Sequence, residues 1–433
     1  MCWDVQGVQQ APTTTAWTHV WDESYRNQII PVLGTVAEGR LYQGGQGLLE
    51  LDVTTGKELL NVNWTKEHPV YLESAPLLYQ GKLYGIVSEQ KATEMTGVSL
   101  LYQRLSCLDA TTGKILWQSD EIGTWEKPCG RPLLLGGKVY VAACFPVPES
   151  GKALETDVHA AVGIWDVATG KLTGRIPLPN GAYPDALLVS DGTSVYGNAI
   201  SNPSWGHVCS SLFRYDPATA KVVWSIAHPT NPKDFHNIHA ALAVDGETLV
   251  TVFDTEDNSD ANGGLGVRQR TAAAFDTTTG HVLWTKTEID STYYPSQYPC
   301  VAVREGIAFF TVHDGTVVAV DGHTGVQKWS FNAKGFVVHD NDINPDYSSA
   351  PRLWYPNLYP RATRDVLYVQ EGDNDLVALD PATGTKLWQK TLLTTEEQVT
   401  ESKQLCCIMP VDKGLIIVTA DSSDLRPIIE LWK

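Results

Sequence analysis

The sequence predicts an all-β fold, an eight-bladed β-propeller of four-stranded antiparallel blades whose last blade is closed by an N-terminal strand. Three observations lead to this prediction. A phrase of the form Asp-x-x-Thr-Gly recurs along the chain, short apolar segments have the alternation of strands, and the two chain ends supply complementary parts of one blade. We therefore expect residues 1–433 to form a single propeller domain.

The repeated phrase is clearest at Asp109–Gly113, where Trp117 follows four residues after the glycine. Its seven aspartates are Asp52, Asp109, Asp166, Asp216, Asp276, Asp321 and Asp380. They are separated by 45 to 60 residues, which is the period of propeller blades. In the weaker copies, Leu60 and Gly174 occupy the tryptophan position, and Ala220 occupies the glycine position.

Each residue type in the phrase has a physical reason to be there. The aspartate can accept backbone N–H bonds across a tight turn. The glycine can adopt a positive φ that a residue with a Cβ resists. The tryptophan opens the next strand and can bury a large apolar surface between neighbouring sheets. The phrase therefore predicts the turn between the third and fourth strands of a blade.

The two chain ends complete each other. Residues 405–433 contain three strand-like segments and no copy of the phrase, whereas residues 16–21 resemble a fourth strand that no phrase precedes. We expect residues 15–22 to pair with residues 404–433, because this pairing makes an eighth blade and removes exposed sheet edges. A seven-bladed ring is the alternative.

The phrase resembles the repeat of the quinoprotein alcohol dehydrogenase-like, or PQQ-like repeat, β-propeller superfamily. This superfamily includes the quinone-dependent alcohol dehydrogenases and a bacterial outer-membrane assembly scaffold. The resemblance spans nearly the whole chain and implies the propeller fold. It leaves the function open, because the superfamily contains both redox enzymes and proteins that only bind other proteins.

Composition excludes some classes of binding partner and indicates a cellular compartment. The net charge of −18 argues against nucleic acid or an anionic membrane as a partner, and no apolar run reaches the length of a membrane span. The first residues lack the pattern of a signal peptide, and the eight cysteines form no CxxC pair. We predict a cytoplasmic protein, with a periplasmic or secreted protein whose signal peptide has been removed as the alternative.

Loop lengths indicate where function lies. In an up-and-down blade, the first-to-second and third-to-fourth connections lie on one face of the disc, and all others lie on the opposite face. The first set is short throughout, as at Gln80–Gly81. The second set contains the long segments 88–100, 144–160, 229–238, 254–270, 287–298 and 331–358. We expect binding on this second face, called the long-loop face below.

The blade-to-blade loops lead into the innermost strands, so their last residues should surround the mouth of the central channel. The candidate catalytic residues there are His236, His239, Arg131, Arg361 and Tyr298. The candidate substrate-binding residues are Glu73, Trp125, Asp185, Tyr294, His339, Tyr355 and Tyr359. Such convergent polar and aromatic groups are typical of a small-molecule pocket. A channel that is merely polar and hydrated remains the alternative.

Two histidines in this set also suggest a metal. His236 and His239 could bind a divalent ion together with His339 or Asp340, because imidazole is a common ligand. Residues three apart on a strand point to opposite sides, so this pair can converge only if His236 still belongs to the loop. An acid–base role and a structural role for these histidines stay open.

The adjacent Cys406 and Cys407 are similar to one feature of the redox branch, in which a disulfide between neighbouring cysteines clamps the quinone. In that branch the pair lies in a Gly-rich loop of an early blade, whereas here it lies on the innermost strand of the last blade. The calcium-binding and catalytic-aspartate motifs of that branch are not recognisable either. We therefore predict no bound quinone, and no other cofactor beyond the metal considered above.

Three functions follow from these patterns. The first is an enzyme that binds a small organic or sugar-like molecule at the channel mouth and performs non-redox acid–base chemistry, such as elimination, isomerisation or cyclisation. The second is a non-catalytic scaffold that binds a protein partner on the long-loop face, where residues 354–359 supply an aromatic patch. The third is a quinone-dependent alcohol dehydrogenase.

Overall fold

The computed structural model contains only β-strands as regular elements in the residues that it describes. Thirty-six strands form eight antiparallel sheets, which confirms the all-β propeller with eight blades. The described residues are 5–21, 34–45, 47–64, 70–92, 99–124, 129–146, 158–178, 182–183, 187–201, 208–227, 235–236, 240–257, 267–290, 300–312, 316–333, 360–371, 375–392, 403–412, 414–421 and 427–433.

The first half of the chain forms four blades and one strand that belongs to the last blade. This strand is β1 (Thr15–Val20). Blade I contains β2 (Thr35–Ala37), β3 (Arg40–Gly44), β4 (Gly47–Asp52) and β5 (Glu58–Asn63). Blade II contains β6 (Val70–Leu72), β7 (Leu77–Tyr79), β8 (Lys82–Ala92), β9 (Ser99–Asp109), β10 (Ile115–Gln118) and β11 (Gly123–Thr124). Blade III contains β12 (Leu133–Leu135), β13 (Lys138–Pro146), β14 (Val158–Asp166) and β15 (Leu172–Pro177). Blade IV contains β16 (Ala182–Tyr183), β17 (Leu188–Ser190), β18 (Val195–Ser201), β19 (Val208–Asp216) and β20 (Lys221–Ala227).

The second half forms the other four blades. Blade V contains β21 (Phe235–His236), β22 (Ala240–Asp245), β23 (Thr248–Asp257), β24 (Val267–Asp276) and β25 (Val282–Asp290). Blade VI contains β26 (Val301–Arg304), β27 (Ile307–Thr311), β28 (Thr316–Asp321) and β29 (Gln327–Asn332). Blade VII contains β30 (Arg361–Ala362), β31 (Leu367–Glu371), β32 (Asp375–Leu379) and β33 (Lys386–Thr391). Blade VIII contains β34 (Lys403–Val411), β35 (Gly414–Asp421) and β36 (Pro427–Trp432).

The N-terminal strand completes blade VIII, as the sequence predicts. Strand β1 pairs antiparallel with β36, and the sheet order is β1-β36-β35-β34. Thr18 lies opposite Glu430, and the backbone N–H of Lys433 donates to the carbonyl of Thr14 at 2.9 Å. The outermost strand of the last blade therefore comes from the start of the chain.

Eight apolar clusters fill the eight interfaces between neighbouring blades. The cluster between blades VIII and I contains the fully buried Trp21, which packs with Met409 of one blade and Leu41 of the other. The other seven clusters each join two consecutive blades in the same way. The core is thus a ring of interfaces, and burial of apolar surface in it stabilises the closed disc.

The predicted turns form, and their aspartates organise them. In blade V, Oδ1 of Asp276 accepts hydrogen bonds from both the backbone N–H and the hydroxyl of Thr279, each at 2.7 Å. The N–H of Gly280 donates to the Asp276 carbonyl at 2.8 Å, and Gly280 has a φ of +74°. The hydrogen bonds that Thr279 donates to the carboxylate, first that of its hydroxyl and then that of its backbone N–H, lower the pKa of Asp276.

The tryptophans that follow the phrases of blades II, IV, V and VI lie on the turn of the next blade. Trp284 of blade V donates its indole N–H to the carbonyl of Gly322 in blade VI at 2.8 Å. A Cβ on Gly325 would lie 2.6 Å from the same indole ring, so the ring requires glycine there. The same contact joins Trp17 to Gly56, Trp117 to Gly170, Trp224 to Gly280 and Trp329 to Gly384. The phrase therefore encodes the contact between blades as well as the turn.

The interface between blades III and IV departs from this rule on both sides. Gly174 occupies the tryptophan position, and the facing turn has Ala220 in place of glycine, with a φ of +54°. Here the ring of Tyr215 from blade IV packs against Tyr140 of blade III, with ring centroids 6.2 Å apart. Because Gly174 replaces the tryptophan, no indole covers this turn, and the turn can carry the methyl group of Ala220.

Residues 5–14, called the N-terminal strap below, lie along blade VII. The backbone N–H of Gly7 donates to Oδ1 of Asp365, and that of Val8 donates to the hydroxyl of Tyr368, both at 2.6 Å. Further along the strap, the carbonyl of Pro12 accepts a hydrogen bond from the Lys390 ammonium at 2.6 Å. The strap therefore joins the start of the chain to the last regular blade.

Candidate functional site

Four consecutive blades carry long hairpins on the long-loop face. Strands β8 and β9 have 11 residues each, β23 and β24 have 10, and β13 and β14 have 9. In blade IV, β18 has 7 residues and β19 has 9. The equivalent second strands of blades I, VI and VII have 5. At about 3.3 Å per residue, the longest strands extend roughly 20 Å further. We call the projecting parts of these four hairpins the hairpin wall.

Short additional strands line the inner edge of this wall. Strands β6, β16 and β21 pair with the projecting ends of β8, β18 and β23, on the side toward the channel. Their registers place Val70 opposite Glu89, Tyr183 opposite Ile200 and His236 opposite Glu256. In these blades the incoming chain therefore pairs first with the wall and then continues into the innermost strand.

Four of the sequence-predicted residues lie within or beside the short additional strands or the innermost strands of the blades. His236 ends β21, Glu73 directly follows β6, Arg131 lies two residues before β12, and Arg361 opens β30. The structure describes only the backbone of His236, and it shows Glu73 and Arg361 half-buried and Arg131 exposed. The remaining predicted residues lie outside the described part of the chain and stay predictions: Trp125, Asp185, His239, Tyr294, Tyr298, His339, Tyr355 and Tyr359.

Glu73 belongs to a hydrogen-bonded group at the inner end of the interface between blades II and III. The side-chain amide of Gln103, on β9, donates from Nε2 to the Glu73 carboxylate. Its Oε1 accepts the backbone N–H of Cys129 at 2.7 Å. Sequence reasoning did not single out Gln103. The sequence offers one indication of its role: Gln103 is an amide on the same strand face as the apolar Leu105 and Cys107.

A second polar group surrounds the buried Cys300 in blade VI. Its Sγ lies 2.9 Å from the hydroxyl oxygen of Thr311, and Arg270 of blade V donates to the Thr311 carbonyl at 3.2 Å. Burial raises the pKa of the Cys300 thiol, and the hydrogen bond from Thr311 and the charges of Arg270 and Arg361 oppose that rise. Arginines from blades V and VII therefore approach one point of blade VI.

Cys407 does not fit the quinone clamp that its family resemblance suggests. It is a free, buried cysteine in the apolar cluster between blades VIII and I, together with Trp21 and Met409. Burial raises the pKa of its thiol to about 12, so the thiol is protonated at neutral pH. A protonated thiol inside a packed core is a structural residue, and we derive no chemistry from it.

Two further observations concern metals and membranes. Within the described ranges, no three His, Cys, Asp or Glu side chains are grouped closely enough to hold a metal ion. His239 lies outside those ranges, so a metal at His236 and His239 stays a prediction. The described part of the chain also contains no helix with the length and apolarity that a membrane crossing requires.

The fold and the repeated turns define a PQQ-like repeat propeller, and comparison with known proteins agrees. A family model described as outer membrane protein assembly factor BamB matches residues 101–267 and 268–423. The matched segments make up well over half of the chain. The chain therefore belongs to this family of PQQ-like repeat propellers. A search of curated proteins finds no match.

Solved structures of both functional branches share the fold. BamB from Moraxella catarrhalis has a TM-score of 0.53 and 14% identity, covering 97% of this chain and 99% of that one. Two quinohemoprotein alcohol dehydrogenases are similar, ADHIIG from Pseudomonas putida HK5 (TM-score 0.58, 13% identity) and that of Comamonas testosteroni (0.56, 15%). Each alignment covers 97% of this chain and 76% of the enzyme. At these identities the similarity shows the fold alone.

Proposed function

We propose that this propeller binds a small polar molecule at the channel mouth, inside the hairpin wall, and acts on it by acid–base chemistry without a quinone. One observation carries the proposal. It is the position of two short strands on the channel side of blades II and V, since Glu73 directly follows β6 and His236 ends β21. A rigid concave surface with a few convergent polar groups is the usual form of a small-molecule site.

The proposed chemistry assigns different tasks to the histidines and the arginines. His236 or His239 removes a proton from the bound molecule, since imidazole titrates near neutral pH. Arg131 or Arg361 then stabilises the negative charge that develops. Elimination, isomerisation and cyclisation all fit this division of labour. Tyr298 acts as a further proton donor in this proposal. The predicted residues Trp125, Asp185, Tyr294, His339, Tyr355 and Tyr359 would hold the molecule in place.

The test begins with identification of a substrate, by incubating the purified chain with metabolite extracts and following which compounds disappear. Turnover of that compound should fall by at least 100-fold in His239→Ala and in Arg361→Ala. Matched controls are His323→Ala and Arg364→Ala, on exposed residues of the opposite face, which should keep full turnover. Unchanged turnover in both active-site variants would exclude these roles.

A protein-binding scaffold is the second candidate, and the family match favours it. The matching model is described as an outer membrane protein assembly factor, and the alignment covers nearly all of the Moraxella BamB chain. In this proposal the partner docks on the long-loop face, against the hairpin wall and the aromatic patch at 354–359. A pull-down with the full chain should recover a stoichiometric partner that the double variant Trp354→Ala, Tyr359→Ala loses. Recovery of no stoichiometric partner counts against the scaffold.

A further inference from the structure

The amide of Gln103 has only one orientation that satisfies its neighbours. The backbone N–H of Cys129 can only donate, so the atom that receives it, 2.7 Å away, must be the amide oxygen of Gln103. The amide nitrogen is then the atom that faces Glu73, and it can only donate. The carboxylate of Glu73 is therefore an acceptor in this contact.

Burial keeps the amide in that orientation. Gln103 is 6% exposed, and the two groups that it contacts come from different segments, one directly after β6 and one four residues before β12. Rotating the amide would set N–H against N–H and oxygen against oxygen. Leaving buried polar groups without a hydrogen bond is costly, so the rotated orientation is strongly disfavoured.

Glu73 itself is half-buried and directly follows β6, the short strand on the channel side of blade II, so part of the residue is accessible there. A carboxylate held as an acceptor presents its remaining lone pairs to whatever binds there. A hydroxyl or an ammonium group can donate to it, whereas the carboxylate of a ligand would be repelled.

We propose that Glu73 is the subsite for a hydroxyl or ammonium group of the ligand, that Gln103 is its positioning residue, and that the ligand class is a polyol or amino sugar. This inference rests on the proposed binding of a small molecule at the channel mouth. It adds that Glu73 accepts a hydrogen bond from the ligand, and it names the class of ligand that can donate one.

Three pyranose probes separate the relevant groups, namely glucosamine (ammonium), glucose (hydroxyl only) and glucuronate (carboxylate). Isothermal titration of the full chain at pH 7 should give binding of glucosamine and glucose, with glucuronate at least tenfold weaker. Glu73→Gln should weaken glucosamine at least tenfold, since a hydrogen bond to a charged group is lost. Stronger binding of glucuronate than of glucosamine would overturn the proposed polarity.

Gln103→Glu tests the positioning role. It keeps an acceptor for Cys129 but places a second carboxyl group against Glu73, so the two carboxyls share a proton and glucosamine binding becomes dependent on pH between 5 and 8. This change should be steeper than in the unaltered chain, and the two are compared between about pH 5 and 6.5, where the amine of glucosamine stays protonated. Gln80→Glu, in an exposed turn of the opposite face, is the matched control and should follow the unaltered chain. The same pH profile for Gln103→Glu and for the unaltered chain, at unchanged affinity, overturns the role of Gln103.

The outcomes distinguish this inference from the proposed function. If the unaltered chain binds glucosamine and Glu73→Gln binds it equally well, the Glu73 subsite is wrong and a small-molecule site elsewhere at the mouth survives. If none of the three probes binds, the ligand class is wrong. The proposed function itself is tested separately, and it is wrong if the His239 and Arg361 variants keep full turnover of the identified substrate.

Discussion

Trp388 donates its indole N–H to the backbone carbonyl of Val8 at 2.6 Å, across 380 positions of sequence. At four other interfaces, the equivalent indole donates to the carbonyl of the residue after the motif aspartate, as Trp329 does with Pro381 at 3.0 Å. Blade VIII has no copy of the phrase, because the chain begins and ends there. The N-terminal strap therefore supplies the acceptor that the missing turn would have offered.

The strap should be sensitive to any side chain at Gly7. A Cβ there would lie 2.5 Å from the Thr363 hydroxyl oxygen and from Val366, so Gly7→Val should prevent docking. The loss of two or three hydrogen bonds at about 1 kcal/mol each predicts a destabilisation of about 2–3 kcal/mol. Thermal unfolding should show a lower Tm for Gly7→Val and no change for the control Gln6→Ala, which is exposed. An unchanged Tm for Gly7→Val would show that the strap contributes no stability.

Alanine substitutions at two glycines of blade VI can separate two effects on stability, namely the contact between indole and turn and the strain of a positive φ. Gly325 has a φ of +71° and faces Trp284, whereas Gly306 has a φ of +72° and an added Cβ would meet no atom within 4 Å. Gly306→Ala should cost about 1–2 kcal/mol for the left-handed conformation alone. Gly325→Ala should cost about 1–3 kcal/mol more, because the indole must move. Denaturant unfolding measures the free energy of unfolding of both variants. An equal decrease in the two would show that the indole of Trp284 does not require glycine at position 325.

At the interface between blades III and IV, replacing alanine by glycine in the turn should raise the stability of the protein. Ala220 adopts a φ of +54° with no indole to accommodate, so Ala220→Gly relieves strain and should stabilise the protein by about 0.5–1 kcal/mol after the entropic cost of glycine. The control is Gly170→Ala, where a Cβ would lie 2.5 Å from Trp117. That variant should be destabilised. A lower Tm for Ala220→Gly would contradict this assignment of strain.

The turn aspartates predict a loss of stability in acid. Lys138 and Thr169 lower the pKa of Asp166 to about 2, with the Lys138 hydrogen bond as the largest cause. A carboxyl whose pKa is depressed in the folded state stabilises the fold above its ordinary pKa, and this contribution disappears as pH falls through the folded value. The Tm should therefore fall as pH drops from about 4 to about 2. Lys138→Met should show a smaller fall over this window than the control Lys57→Met.

Much of the fold could be predicted because the phrase Asp-x-x-Thr-Gly is local. The aspartate, the glycine and the tryptophan lie within ten residues of one another in the sequence, so their spacing alone indicates the turn. The pair Gly174 and Ala220 was also visible in the sequence, since the glycine of one turn is missing where the preceding tryptophan is missing. Its meaning required the structure, which shows that the indole lies on the turn of the following blade.

The candidate site was less accessible to sequence reasoning. Strands β6, β16 and β21 have two or three residues each, too few to show any periodicity, and the registers of the long hairpins determine where they lie. Gln103 had no distinguishing motif, because its role depends on Glu73 and Cys129, which are 30 and 26 residues away. Contacts of this kind are set by tertiary packing, which no local pattern encodes.

Native mass spectrometry of the full chain, purified from its own source, is the most direct test of a small-molecule site at the channel mouth. We expect one non-covalent adduct per chain, which the double variant Glu73→Gln, Arg361→Gln loses and the control His323→Ala retains. If the unaltered chain carries no adduct, or if the adduct survives in the double variant, the chain has no small-molecule site of this kind at the channel mouth.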